Sequence, residues 1–170
     1  MTASPVPSRQ RSHFISVIII ARNEEQTIQH CLSAGIQSLE IAIREGRAGG
    51  GEVILVDSAS TDTTVQKAKS FPVTILGLKD DWPLSAAAGR QMGFEHSRGD
   101  LLFFIDGDTV VETTWLAHAL SFIKREGIAA IGGIVVDEVK GRSLLAAEIL
   151  DQELRETPRE EVAEVQEVNV

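Results

Sequence analysis

A chain of 170 residues with 43% hydrophobic and 24% charged residues has the length and composition of one soluble domain that buries a real core. Its net charge of −9 argues against nonspecific nucleic-acid binding, which depends on Lys and Arg neutralising phosphates. An acidic chain that handles phosphates needs a cation between them, although residues 151–170 alone hold seven acids against Arg155 and Arg159.

Residues 1–13 carry charge but no apolar run long enough for a signal peptide, and read as a flexible N-terminus. The run that follows, FISVIII (Phe14–Ile20), is far short of the roughly 20 residues a membrane helix needs. The single cysteine, Cys31, cannot form an internal disulfide and points to a reducing compartment. Lying in an apolar helical stripe, it reads as a small core residue and not a nucleophile. The expected location is cytoplasmic, with membrane contact at most peripheral to the inner face.

Strands are predicted at Phe14–Ile20, Glu52–Val56, Val73–Leu76, Leu101–Ile105 and Ile128–Val136. FISVIII, VILV and LLFFI are continuous apolar runs, as expected of parallel strands covered on both faces. Helices are predicted from Glu24 to about Arg44, with Ile28, Cys31, Leu32, Ile36 and Leu39 on one stripe, and over Asp62–Ser70, Leu84–Ser97, Glu112–Glu126 and Ser143–Glu156. This alternation gives an α/β fold with a mostly parallel sheet and helices on both faces. The closing EVQEVNV reads as a strand in which the chain stops, so the expectation is the front part of a longer protein.

Ligands of open α/β sheets bind outside the carboxyl ends of the strands. Three predicted strands release polar clusters there: ARNEE (Ala21–Glu25) after FISVIII, DSASTD (Asp57–Asp62) after VILV, and DGDT (Asp106–Thr109) after LLFFI. Each has a plainer reading. Asn23 with the following acids can start a helix, Asp57 with Ser58 can form a turn, and Asp62 can cap. Asp106 and Asp108 are harder to explain that way, because like charges at a strand mouth repel unless a cation compensates them. Gly107 between them gives the chain freedom and allows a ligand close to the backbone.

Other signals carry less. GRAGGGE (Gly46–Glu52) precedes a strand and lacks Gly-Lys-Ser/Thr, so it reads as a flexible connection and not a phosphate loop. His13, His30, His96 and His118 have no zinc-ligand spacing. Arg90, in the small-residue segment SAAAGRQMG (Ser85–Gly93), stands where a closely packed helix begins, and its guanidinium fork suits a phosphate; a plain surface arginine is the alternative.

The order ISVIIIARNEE, EVILVDSASTD, SAAAGRQMG, GDLLFFIDGDTVV resembles the N-terminal, nucleotide-sugar-binding half of a family 2 glycosyltransferase with the Rossmann-like GT-A fold, from about Phe14 to Val136. The resemblance implies a nucleotide-sugar domain over residues 14–142, with 143–170 an acidic helix and strand leading toward an acceptor half. It implies that Ala21, Arg22 and Glu24 line the base and ribose pocket and that Asp57 accepts a hydrogen bond from the base. Asp106 would lie by the ribose and diphosphate, and Asp108 would ligate Mg²⁺ or Mn²⁺ on that diphosphate. The family often has an aromatic where Arg22 stands, and an acid or Gly at Ser58 and Ala59; a guanidinium plane can stack on a base instead.

The implied partners are a nucleotide-diphosphate sugar and the hydroxyl of a glycan or lipid-linked acceptor, with no nucleic acid. A general base belongs to this chemistry, and no segment of the chain matches one. Two other readings stay open. One is a non-catalytic nucleotide-binding fragment. The other is a haloacid-dehalogenase-type phosphatase with Asp106 as nucleophile, which leaves ARNEE and DSASTD unexplained.

Overall fold

The apolar runs become neighbouring strands. The structure, a computed structural model, describes residues 12–79, 84–123 and 128–135, together with strand positions 138–139 and 142–143. Within the first of two compact units, which ends at Ile131, lie β1 (His13–Ala21), α1 (Ile28–Arg44), β2 (Ala48–Asp57), α2 (Thr64–Ala68), β3 (Thr74–Gly77), α3 (Ala86–His96), β4 (Leu101–Asp106) and α4 (Trp115–Phe122). The sheet order is β3-β2-β1-β4, and all three pairings are parallel. Parallel neighbours need crossovers, which the helices between the strands provide.

β1 is central and buried from Ile15 to Ala21. Its side chains alternate between two cores. Ile15, Val17, Ile19 and Ala21 pack with Cys31 and Leu32 of α1 and Leu116 and Leu120 of α4. Ile18 joins Ile54 and Val56 of β2 on the other face, against Ala88 and Met92 of α3. Helices therefore cover both faces, which is why this strand has no polar alternation. Each fully buried isoleucine contributes about 1.5–3 kcal/mol relative to exposure.

Glycines place one helix and end another. A Cβ at Gly89 would lie 2.6 Å from Ile20 Cγ2, and one at Gly93 would collide with Ile18. α3 thus rests on β1 at a distance that only a glycine face permits. α1 ends in a left-handed Gly46 (φ +68°), with Gly46 N–H donating to Ile43 O (3.0 Å) and Arg47 N–H to Ala42 O (2.9 Å). That pair of bonds satisfies two carbonyls of the last turn.

Several local expectations need correction. Ala48–Gly51 is not a flexible connection but the first half of β2, paired with His13, Phe14 and Ile15. The missing side chains are needed there: a Cβ at Gly51 would meet Ile15 O and Leu39 Cδ1 at 2.6 Å. His13 belongs to β1, so the ordered chain begins before Phe14. Residues 128–135 form no strand, although their composition suits one. Helix α1 starts at Ile28 rather than Glu24, with Thr27 as N-cap, so Asn23 does not cap it.

In the second unit, from Gly132 onward, β5 (Glu138–Val139) and β6 (Arg142–Ser143) form an antiparallel pair. Ser143 is therefore a strand residue and not the start of a helix; residues 144–156 and the closing EVQEVNV lie outside the described residues. Among the described residues no helix is long and apolar enough to cross a membrane.

Candidate functional site

Register brings the three polar clusters to one edge. Ala21 of β1 pairs with Asp57 of β2, and Ile20 pairs with Asp106 of β4. A cleft of about 240 Å³ opens there. Ala21, Arg22 and Glu24 line it from the first cluster, Ser58 from the second, and Asp106, Gly107 and Asp108 from the third. Leu84, Ser85 and Ala86, at the start of α3, form the opposing wall.

The Asp-Gly-Asp turn is held from several sides. Gly107 N–H donates to Ile20 O (2.8 Å), and a Cβ on Gly107 would lie 2.8 Å from that of Ala21. The close approach of β1's own end thus already requires the glycine. Thr27 Oγ1 lies 3.1 Å from Gly107 O and 3.0 Å from Glu24 Oε2, tying the turn to the first cluster. Cys31 donates its S–H to Asp106 O at 3.5 Å. Burial, reinforced by Asp108, Asp106 and Glu24, pushes its thiol up to about 12, so Cys31 is a packed core residue and not a nucleophile.

The two aspartates differ. Asp106 Oδ1 accepts from Arg90 Nη2 at 2.7 Å, an ion pair whose side chains are both half exposed. Asp108 is exposed, and the bond it receives from Thr109 Oγ1 is long, 3.4 Å. Arg90 therefore reaches the site through Asp106, without itself lining the cleft. Asp57 is not among the residues that line the cleft. It is buried, its Oδ2 accepts from Ser60 N–H (3.0 Å), and its Oδ1 has no hydrogen-bond partner.

The loops after β1 and β2 are stitched together. Asn23 N–H donates to Ser60 Oγ (2.9 Å), while Asn23 Oδ1 accepts from Thr61 N–H (2.8 Å). Glu24 N–H donates to Thr64 Oγ1 (2.8 Å) and Glu25 N–H to Asp62 Oδ2 (3.1 Å). Lys67 Nζ donates to Glu25 O at 2.6 Å. Hydrogen bonds from Thr63 hold the Glu25 carboxyl below its usual range. Burial would raise Asp62, but bonds from Thr64 and Glu25 outweigh it and lower that carboxyl too. Asp62 is thus a loop fastener as well as a donor-satisfying residue ahead of α2.

Ser58, Leu84, Ser85 and Ala86 escape sequence reasoning as lining residues. Only Ser85 has a usable signal, since it caps α3 by accepting from Ala88 N–H (3.2 Å) and so marks where that helix points its first turn.

Among the described residues no three His, Cys, Asp or Glu side chains gather as an all-protein metal cage. A diphosphate-bound Mg²⁺ or Mn²⁺ does not ask for one, because it takes one or two carboxylates and fills its shell with phosphate oxygens and water. The accessible carboxylate of Asp108 fits such a role.

Comparison with known proteins agrees with this arrangement. The chain is 34% identical over 125 residues to the glycosyltransferase AglE of Haloferax volcanii, covering 72% of this chain and 39% of that protein. It is 32% identical over 98 residues to the 4,4'-diaponeurosporenoate glycosyltransferase of Staphylococcus aureus, covering 55% of this chain and 24% of that one. The chain thus spans well under half the length of these relatives. Among solved structures, residues 1–349 of S. aureus TarS superpose with a TM-score of 0.52 at 25% identity, covering 64% of this chain and 32% of that one. The mannosyltransferase PcManGT of Pyrobaculum calidifontis, solved with GDP-Man and Mn²⁺, shares the fold with a TM-score of 0.54 at 23% identity, over 72% of this chain and 35% of that one. These neighbours are glycosyltransferases of the GT-A fold. The family model described as "Glycosyl transferase family 2" matches residues 16–162, and with it the phosphatase reading of Asp106 falls: this chain belongs to glycosyltransferase family 2.

Proposed function

We propose that the first compact unit is the donor-binding half of a metal-dependent transferase that moves a sugar from a nucleoside-diphosphate sugar to an acceptor hydroxyl on a glycan or lipid. The observation that carries this reading is the convergence of Arg22, Glu24, Asp106 and Asp108 on one cleft at the carboxyl edge of a parallel sheet, in a family 2 chain. The unpartnered Oδ1 of Asp57 is assigned to an N–H of the base, and the exposed guanidinium of Arg22 to the face of that base. Asp106, steadied by Arg90, faces the ribose and diphosphate, and Arg90 keeps further N–H donors for a phosphate oxygen. Asp108 is the residue that would hold Mg²⁺ or Mn²⁺. That ion, when bound, supplies Lewis acidity to the departing diphosphate.

Calorimetric titration of the full-length protein with UDP and GDP, with and without Mn²⁺, tests this. Wild type is expected to bind a nucleoside diphosphate in a Mn²⁺-dependent way, and Asp108→Asn to weaken that binding about tenfold or more. Binding by wild type that ignores the metal, or by Asp108→Asn that equals wild type, would sink the reading.

A further inference from the structure

The seam between the loops after β1 and β2 contains two residues in an unusual backbone state. Asn23 has φ +57° and Ala59 has φ +55°, the left-handed region that non-glycine residues seldom occupy. They sit across from one another, because Asn23 bonds Ser60 through its N–H and Thr61 through its Oδ1. The Thr61 hydroxyl approaches the same oxygen at 3.3 Å. Asn23 does not line the cleft, yet its neighbours Arg22 and Glu24 do, and so does Ser58, next to Ala59. Strained backbone persists only where surrounding bonds over-determine it. Here those bonds come from the opposite loop.

We infer that Asn23 is a positioning residue that holds the two base-facing walls of the cleft in register. The inference rests on the nucleotide-binding reading above. Asparagine suits the post on two counts. Its short amide tolerates positive φ, and its carbonyl oxygen reaches the Thr61 N–H across the seam. The left-handed turn at Asn23 points the flanking Arg22 and Glu24 to the cleft, while the amide itself faces Thr61. Alanine would lose both the bond and the ease of the turn; glycine would keep the turn and lose the bond.

Titration of UDP and GDP with Mn²⁺ into full-length wild type, Asn23→Gly and Asn23→Ala, at a temperature where circular dichroism shows all three folded, provides the test. Affinity is expected to fall from wild type through the glycine to the alanine variant, with the last about tenfold weaker. A residue with a merely structural role would lower the melting temperature and leave the affinity of the folded protein equal in all three. That equality overturns the inference. If Asn23→Ala does not fold, Ser60→Ala removes the acceptor on the opposite loop while leaving the residue at position 23 itself unchanged. Weaker nucleotide binding by Ser60→Ala supports the inference, and wild-type affinity overturns it. Failure of wild type to bind either nucleotide overturns the donor-site reading and this inference with it, whereas binding that is blind to position 23 overturns this inference alone.

Discussion

Glu52 and Asp100, toward one edge of the sheet, are fully engaged carboxylates, whereas Asp57 and Asp108, at the other, are not. Toward the amino edge, Glu52 accepts from Ser16 Oγ (2.8 Å), from Arg98 N–H (2.7 Å) and from the Arg98 guanidinium (2.9 and 3.0 Å). Asp100 there receives Phe14 N–H at 2.7 Å and faces His13 Nδ1 at 2.7 Å. At the carboxyl edge, Asp57 keeps a buried oxygen without a partner, and Asp108 has one long bond from its neighbour. Leaving a buried acceptor unpaired costs free energy that the amino edge avoids. The contrast teaches that partners are supplied where the carboxylates fasten strands, and the oxygens left without them are the ones the donor-site proposal assigns to a ligand.

Substitutions at the two edges should therefore separate binding from stability. The largest effect is expected at Asp57. Asp57→Asn is expected to lower nucleoside-diphosphate affinity by about tenfold to a hundredfold, the worth of a hydrogen bond to a charged group, with a melting temperature equal to or above wild type. A large loss of stability at unchanged affinity would place Asp57 with the fastening carboxylates instead. Next comes Glu52→Ala, expected to cost about 2 kcal/mol in denaturant unfolding, because the buried Ser16 hydroxyl and the Arg98 fork lose their acceptor. Nucleotide affinity of the folded Glu52→Ala protein should match wild type, and a drop there would erase the distinction between the edges.

The smallest effect is the pH dependence of the fastened carboxylates. His13 and Phe14 hold Asp100 below its usual range. Burial would raise Glu52, but the bonds from Arg98 and Ser16 outweigh it, and that carboxyl is lowered as well. A depressed folded pKa adds stability above the unfolded value, near 4, and that stability is lost as pH falls through the folded value. Melting temperature should hold from neutral pH to about 5 and decline below about 4. A shallower decline in Glu52→Ala would identify that residue as one source.

Much of the site could be read from residue order. Asp57, Asp106 and Asp108 each follow an unbroken apolar run, which in an alternating α/β chain points to a parallel strand, although the run before Asp106 proves to be the edge strand β4, with Phe104 40% exposed. The carboxyl ends then meet at one edge by topology alone. Arg90 was legible as a cation near the edge, but its ion pair with Asp106 depends on how closely Gly89 and Gly93 let α3 approach β1. Asn23 was legible only as a helix-capping type. Its left-handed turn needs Ser60 and Thr61, which lie 37 and 38 residues away.

By itself, the sequence determined the parallel α/β order and the edge that carries the acids, because hydrophobic periodicity and chain order are local properties. Tertiary structure alone decided which residues of the glycine tract join a strand, how closely α3 approaches β1, and which carboxylates keep a free oxygen. The reason is common to all three. A ladder, a glycine-wide gap and a missing hydrogen-bond partner are each defined by what a distant segment brings alongside. Gly51 is a strand residue because Ile15 and Leu39 occupy the space a side chain would need.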